Sequence, residues 1–169
     1  MASLPALGRA QAPLKPLQAM SASAEALRDS LVAVARAQVG SRYVRGGQSP
    51  KRGFDCSGLV KYVLSAFNLE VPRTARQQAT VGAAVVRDTS QLLPGDLLTF
   101  GRPRAGVSHI GIYVGNGRMV HASLKAGRVI ETSIARGPIR RKPWRGVRRL
   151  FADPDTTTVV ASRLPASDH

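Results

Sequence analysis

The single cysteine of the sequence, Cys56, stands where a glycine-rich loop passes into a helical pattern, in Phe54-Asp55-Cys56-Ser57-Gly58-Leu59-Val60. A lone cysteine is most often a small buried hydrophobe. Here the polar neighbours Asp55 and Ser57 argue against an apolar socket. At a helix start, the first-turn N–H groups and the helix dipole favour a thiolate and lower its pKa. Those N–H groups can also stabilise the oxyanion formed when a thiolate attacks a carbonyl. The setting of Cys56 therefore points to nucleophilic chemistry on an acyl group.

A thiolate nucleophile needs a base within hydrogen-bond reach, and the base needs an orienting partner. The sequence has three histidines. His169 ends a tail without periodic pattern and is set aside. His109 and His121 lie in two strand-like runs, Ser108-His109-Ile110-Gly111-Ile112-Tyr113-Val114 and Arg118-Met119-Val120-His121-Ala122-Ser123, on either side of one turn. With a two-residue loop, Asn116-Gly117, the two histidines would point to opposite sheet faces. A three-residue loop, Gly115-Asn116-Gly117, pairs Val114 with Arg118 and Gly111 with His121. The histidines then become diagonal neighbours on one face, about 7–8 Å apart at the backbone and within side-chain reach. Gly117 can take the left-handed conformation that such a loop requires. The chemistry thus predicts the odd loop, although Asn-Gly alone suggests the even one.

Cys56, His109 and His121 could also hold zinc, but they make only three ligands. Asp55 points the wrong way along the helix start to be an obvious fourth, so no metal site is expected. One cysteine also excludes an internal disulfide. The net charge of +15 implies attraction to polyanions, whether nucleic acid, anionic lipid or the anionic polymers of a bacterial envelope. Much of that charge sits between Arg136 and Arg149, where Pro138, Pro143 and Gly146 forbid a basic recognition helix. No groove-reading motif is present, and specific nucleic-acid binding is not expected.

The elements that must position Cys56 and the histidines follow from periodicity. With 169 residues, of which 43% are apolar, the chain suits one domain with one core. No apolar run approaches the roughly 18 residues that a membrane-spanning helix needs. Residues 1–22 read as a flexible lead-in, with Pro5, Pro13 and Pro16 breaking any secretory signal. A helix is expected from Ser23, its stripe Leu27, Leu31, Val34 and Ala35, ending at Gly40. A second helix opens near Cys56 and buries Leu59, Val60, Val63, Leu64 and Phe67. A short helix spans Thr74 to about Thr80. Strands are expected at 84–87, 96–100, 109–114, 118–123, 129–132 and 147–151. Helices first and strands afterwards predict an α+β domain over 23–151, its N-terminal helices packed on an antiparallel sheet of five to six strands. Residues 152–169 read as a disordered tail.

Six segments in order carry a resemblance that extends from about Ala33 to Leu150. They are Tyr43-Val44-Arg45-Gly46-Gly47, Phe54 to Val60, Val71-Pro72-Arg73-Thr74 with Gln77-Gln78, Leu93-Pro94-Gly95-Asp96-Leu97, Ser108 to Gly115, and Met119 to Ser123. Together they resemble the NlpC/P60 family of papain-like cysteine peptidases, which cleave peptidoglycan peptides. The resemblance implies Cys56 as nucleophile, His109 as base and His121 as the third member that orients His109. It places Tyr43 opposite the cysteine, near the oxyanion and the residue preceding the cleaved bond. It puts Asp55, Ser57 and Ser108 at substrate contacts, an acidic group there often meeting a free amine. Arg73 stays open between a substrate contact and a pairing with a carboxylate such as Asp96. The sequence departs from the family at Arg45, where a tryptophan often follows Tyr-Val, and in lacking a recognisable wall-binding module. No cofactor is implied.

The expected function is a cysteine endopeptidase acting on peptidoglycan peptides, at the D-Glu/diamino-acid stem bond or the D-Ala/diamino-acid cross-link. It is expected as a monomer in the cell envelope, periplasmic or secreted, with basic charge drawing it to anionic envelope polymers. Two other readings remain: a papain-like acyltransferase or toxin amidase using the same triad, and a non-catalytic basic nucleic-acid binder.

Overall fold

Cys56 opens a helix that rests on a sheet, and the computed structural model shows how that arrangement is built. It describes the backbone of residues 16–135 and 144–151, with side chains from residue 23 onward. The helices are α1 (Pro16–Arg36), α2 (Cys56–Ser65) and α3 (Ala75–Gln78). A two-stranded ribbon, β1 (Gln48–Ser49) and β2 (Gly53–Phe54), precedes α2. The main sheet comprises β3 (Ala83–Val85), β4 (Leu97–Arg102), β5 (Gly106–Gly115), β6 (Arg118–Ser123), β7 (Arg128–Ser133) and β8 (Trp144–Arg149). Its order is β3-β8-β4-β5-β6-β7, and every pairing is antiparallel. The α+β architecture with six sheet strands is the one expected.

Apolar side chains on both sheet faces explain the unbroken run Leu97-Leu98-Thr99-Phe100-Gly101, all of it buried. One face carries Leu97, Ile110, Ile112, Val120 and Ala122 against Leu31 and Ala35 of α1 and Leu59, Val60 and Val63 of α2. The other gathers Leu98, Phe100, Tyr113, Met119 and Val147. A half-solvated sheet would alternate polar and apolar residues, whereas this one is covered on both sides in its centre.

The first helix starts at Pro16, earlier than the expected Ser23. Ala, Leu, Gln and Met are good helix formers, and proline is tolerated in a helix's first turn. Residues 1–15 of the expected lead-in and the whole tail 152–169 lie outside the described residues, as do residues 136–143 of the basic run. The rest of that run forms β8, inserted between β3 and β4. There Arg149 holds the buried Asp96 carboxylate with two bonds of 2.8 Å.

The β5–β6 hairpin reaches the expected register by another route. Ile112 pairs with Val120 and Tyr113 with Met119, which continues to Gly111 opposite His121. The loop, however, is the two-residue Asn116-Gly117 turn, with Gly115 paired to Arg118. Asn116 and Gly117 have φ of 52° and 65°, as a type I′ turn requires. A β-bulge between Tyr113 and Gly115 takes up Val114, and that one extra residue restores the odd parity. A second shift, between Phe100 and Gly101, lies directly opposite His109 and Val107.

Candidate active site

Asp55 sets the geometry of the helix that begins with Cys56. It has extended backbone, and its Oδ1 accepts from the Gly58 N–H at 2.7 Å, an N-cap. Its Oδ2 accepts from the Gly46 N–H at 2.8 Å, tying the preceding loop to the helix start. Gly58 lets that loop approach, since a Cβ there would run into the Gly47 carbonyl oxygen. Leu59, Val60, Val63 and Leu64 anchor α2 in the core, so Cys56 opens a firmly held element.

Arg73 completes the clamp. Its Nη2 donates to Asp55 Oδ2 at 2.7 Å, and its Nη1 to Asp55 Oδ1 at 3.0 Å and to Ser57 Oγ at 2.9 Å. Its carboxylate partner is thus Asp55, and the Asp96 alternative is corrected, because Arg149 already occupies Asp96. Burial pushes the Asp55 pKa up, but bonds from Arg73, Gly58 and Gly46 outweigh it and hold the carboxyl below its usual range. Ser57 donates to Asp55 Oδ1 at 3.2 Å, so every polar group in this cluster is engaged.

Cys56 is partly exposed and lines a cleft of about 460 Å³. Tyr43, Asp55, Ser57, Arg73 and Ser108 line the same cleft. All five residues expected at substrate contacts are thereby brought together with the thiol. The Tyr43 hydroxyl has its pKa raised by burial first, then by the negative charges of Cys56 and Asp55, while Arg45 opposes the shift.

His109 follows Ser108 on β5, the strand against which α2 packs. Its Nε2 lies 2.8 Å from Nδ1 of His121, with the rings nearly perpendicular at 84°. The two histidines thus share a face, as expected from the hairpin's odd parity. His121 is fully buried, and burial drives its pKa down to about 4, so its ring is neutral near pH 7. Its Nε2 is buried without a hydrogen-bond partner among the described residues. With His109 Nε2 directed at His121, the nitrogen of His109 that can exchange a proton with a thiol is Nδ1.

One residue of the Gln77-Gln78 segment has a positioning role that the segment's resemblance did not assign. Gln78, fully buried, donates to the carbonyls of Ser57 at 3.0 Å and Pro72 at 2.7 Å, joining the cysteine helix to the Arg73 loop. A glutamine at a helical apolar position was the available signal. Among the described residues, no group of three or more His, Cys, Asp or Glu side chains could hold a metal ion.

Comparison with known proteins gives a consistent picture. The model of the NlpC/P60 family matches residues 40–149. The chain is 36% identical over 141 residues to a gamma-DL-glutamyl hydrolase of Bacillus subtilis, covering 82% of this chain and 33% of that protein. It is 41% identical over 116 residues to the murein DD-endopeptidase and LD-carboxypeptidase MepS of Escherichia coli, covering 67% and 57%. It therefore spans between a third and somewhat over half the length of these relatives. Among solved structures, the peptidoglycan hydrolase RipB of Mycobacterium tuberculosis matches with a TM-score of 0.65 at 30% identity, covering 78% of this chain and 68% of that one.

Proposed function

The chain belongs to the NlpC/P60 family, and from that premise we propose that it is a cysteine endopeptidase that hydrolyses amide bonds in peptidoglycan peptides. The observation that carries this reading is the 2.8 Å His109–His121 contact on the strand beside the helix that Cys56 opens.

The reaction follows from the groups present. His109 Nδ1 takes the Cys56 proton, and the helix start stabilises the resulting thiolate. The imidazolium so formed donates through Nε2 to Nδ1 of neutral His121, which fixes the ring plane. Sγ attacks the amide carbon, and the carbonyl electrons move to oxygen. That oxyanion is met by backbone N–H groups opening α2 and by the Tyr43 hydroxyl, whose raised pKa keeps it protonated. The imidazolium protonates the leaving nitrogen as the C–N bond breaks. Water, deprotonated by His109, then attacks the thioester and frees the thiolate.

Asp55 serves here as a clamp for the helix and the Arg73 loop, and Ser57 and Ser108 offer hydroxyls to the substrate. The relatives' names cover both a gamma-DL-glutamyl hydrolase and a murein DD-endopeptidase, so both the stem bond and the cross-link stand as candidate substrates. A place in the cell envelope or outside the cell follows from such a substrate. No helix among the described residues is long and apolar enough to cross a membrane. The basic surface would draw the protein to anionic wall polymers, an attraction that salt must weaken.

Mass spectrometry of defined muropeptides after incubation with the protein tests the reading. Fragments differing by one hydrolysed amide are expected, and their masses name the bond. Intact muropeptides under conditions where the protein is folded would overturn it.

A further inference from the structure

Four charged side chains line the cleft beside Cys56: Arg45, Asp55, Arg73 and Arg76. The one carboxylate among them is fully committed, with both oxygens held by Arg73 and by backbone N–H groups. Arg73 and Asp55 therefore cancel, and the charge left facing the cleft is that of Arg45 and Arg76. Arg45 is exposed, has no hydrogen-bond or ion-pair partner among the described residues, and lies close enough to Tyr43 to act on its hydroxyl. Arg76 projects from α3 and is fixed at the rim. Its Nη2 donates to the Ala105 carbonyl at 3.0 Å, and its guanidinium lies over Gly106. A Cβ at Gly106 would meet three guanidinium atoms at 3.6–3.7 Å, so the plane is docked flat against that glycine. This geometry leaves the remaining N–H groups of Arg76 for another acceptor.

We propose that Arg45 and Arg76 make the cleft selective for peptides whose residues flanking the cleaved bond carry free carboxylates, against the same peptides with those groups as carboxamides. The inference rests on the endopeptidase reading and deepens it by naming the charge state of the substrate. A guanidinium offers paired N–H donors that match a carboxylate's two oxygens. A carboxamide presents one acceptor and two donors, and leaves the arginine facing like-directed N–H groups. Two arginines from separate elements, one pre-positioned and one unpaired, make the preference electrostatic and hence sensitive to salt.

Two synthetic stem peptides test this, alike except that the free α-carboxylates of one are carboxamides in the other. The wild-type protein should cleave the acid peptide with kcat/KM about tenfold or more above the amide peptide, the scale of one well-formed charged contact. Arg45→Gln and Arg76→Gln should each reduce that ratio, and the double variant should bring it close to one. Lys125→Gln, an exposed cation outside the cleft, should leave it unchanged. Raising salt should narrow the wild-type ratio. Equal cleavage of the two peptides by the wild type, or a preference that survives the double variant, would overturn the proposal. If neither peptide is cleaved, the endopeptidase reading fails, and calorimetric binding of both peptides to Cys56→Ala still decides the selectivity. Equal affinities would reject it, and tighter binding of the acid peptide that is lost in Arg45→Gln/Arg76→Gln would uphold it.

Discussion

His121 Nδ1 sits 2.8 Å from His109 Nε2, and the His121 ring is fully buried while His109 is only half-buried. The two histidines therefore have different environments and different tasks. The half-buried one is the one placed to act as the proposed base, and the buried one stays neutral and can accept a hydrogen bond.

Replacing His121 by alanine removes the acceptor without touching the cleft wall. Steady-state kinetics should show kcat falling by about tenfold or more with KM little changed, since the lost interaction serves the proton-transfer steps. An unchanged kcat would reduce His121 to packing.

Burial of His121 also makes stability depend on pH. Its pKa is near 4 in the folded protein against 6.5 unfolded, so between these values the unfolded chain binds the extra proton. Above pH 6.5 both states are neutral and the stability is fully present. It should fall by about 3 kcal/mol as pH drops from 6.5 to 4 and then stop falling on this account. Denaturant midpoints across that window measure the slope, and His121→Gln should flatten it.

Gly111 faces His121 across the β5–β6 ladder. A Cβ there would lie 3.0 Å from Met119 Sδ and 3.2 Å from His121 Cβ, tight enough to push the histidine. Gly111→Ala should cost about 1–3 kcal/mol of stability and should lower kcat through the displaced His121. Chemical denaturation and turnover assays report both.

Removing the Arg73 guanidinium leaves the Asp55 carboxylate with the Gly46 and Gly58 N–H groups and the Ser57 hydroxyl as donors. Arg73→Ala should cost about 1–2 kcal/mol at neutral pH, a figure already reduced because Arg73 is about a third exposed. Asp55 has its folded pKa below the usual carboxylate value, so the Arg73 contribution is present above about pH 4 and is lost as pH falls through that folded pKa. The gap between Arg73→Ala and wild type, followed by denaturant titration, should therefore narrow in acid.

The sequence made some of this legible and hid the rest for physical reasons. The helix start near Cys56, the α2 stripe and the β6 strand are local patterns, and local hydrogen bonding and periodicity dictate them. The shared face of His109 and His121 was legible through parity, but its origin was not. Asn116-Gly117 forms the two-residue turn that its φ preferences favour, and the bulge at Val114 corrects the register. A bulge has no strong residue signature, so only the chemical demand could reveal it. Ion-pair partners were the least legible. Asp96 immediately precedes β4, where Arg149 of β8 reaches it, and Arg73 meets Asp55 because Lys61 and Gln78 tie the Val71-Pro72 loop to α2. Such closures depend on tertiary packing rather than on neighbouring residues.

The central claim is that Cys56 is the nucleophile. It is tested most directly by incubating defined muropeptides with Cys56→Ala protein whose circular dichroism and melting match the wild type, and analysing the products by mass spectrometry. Fragments should form with the wild type and be absent with Cys56→Ala; the same fragments released by the variant at a comparable rate would contradict the mechanism.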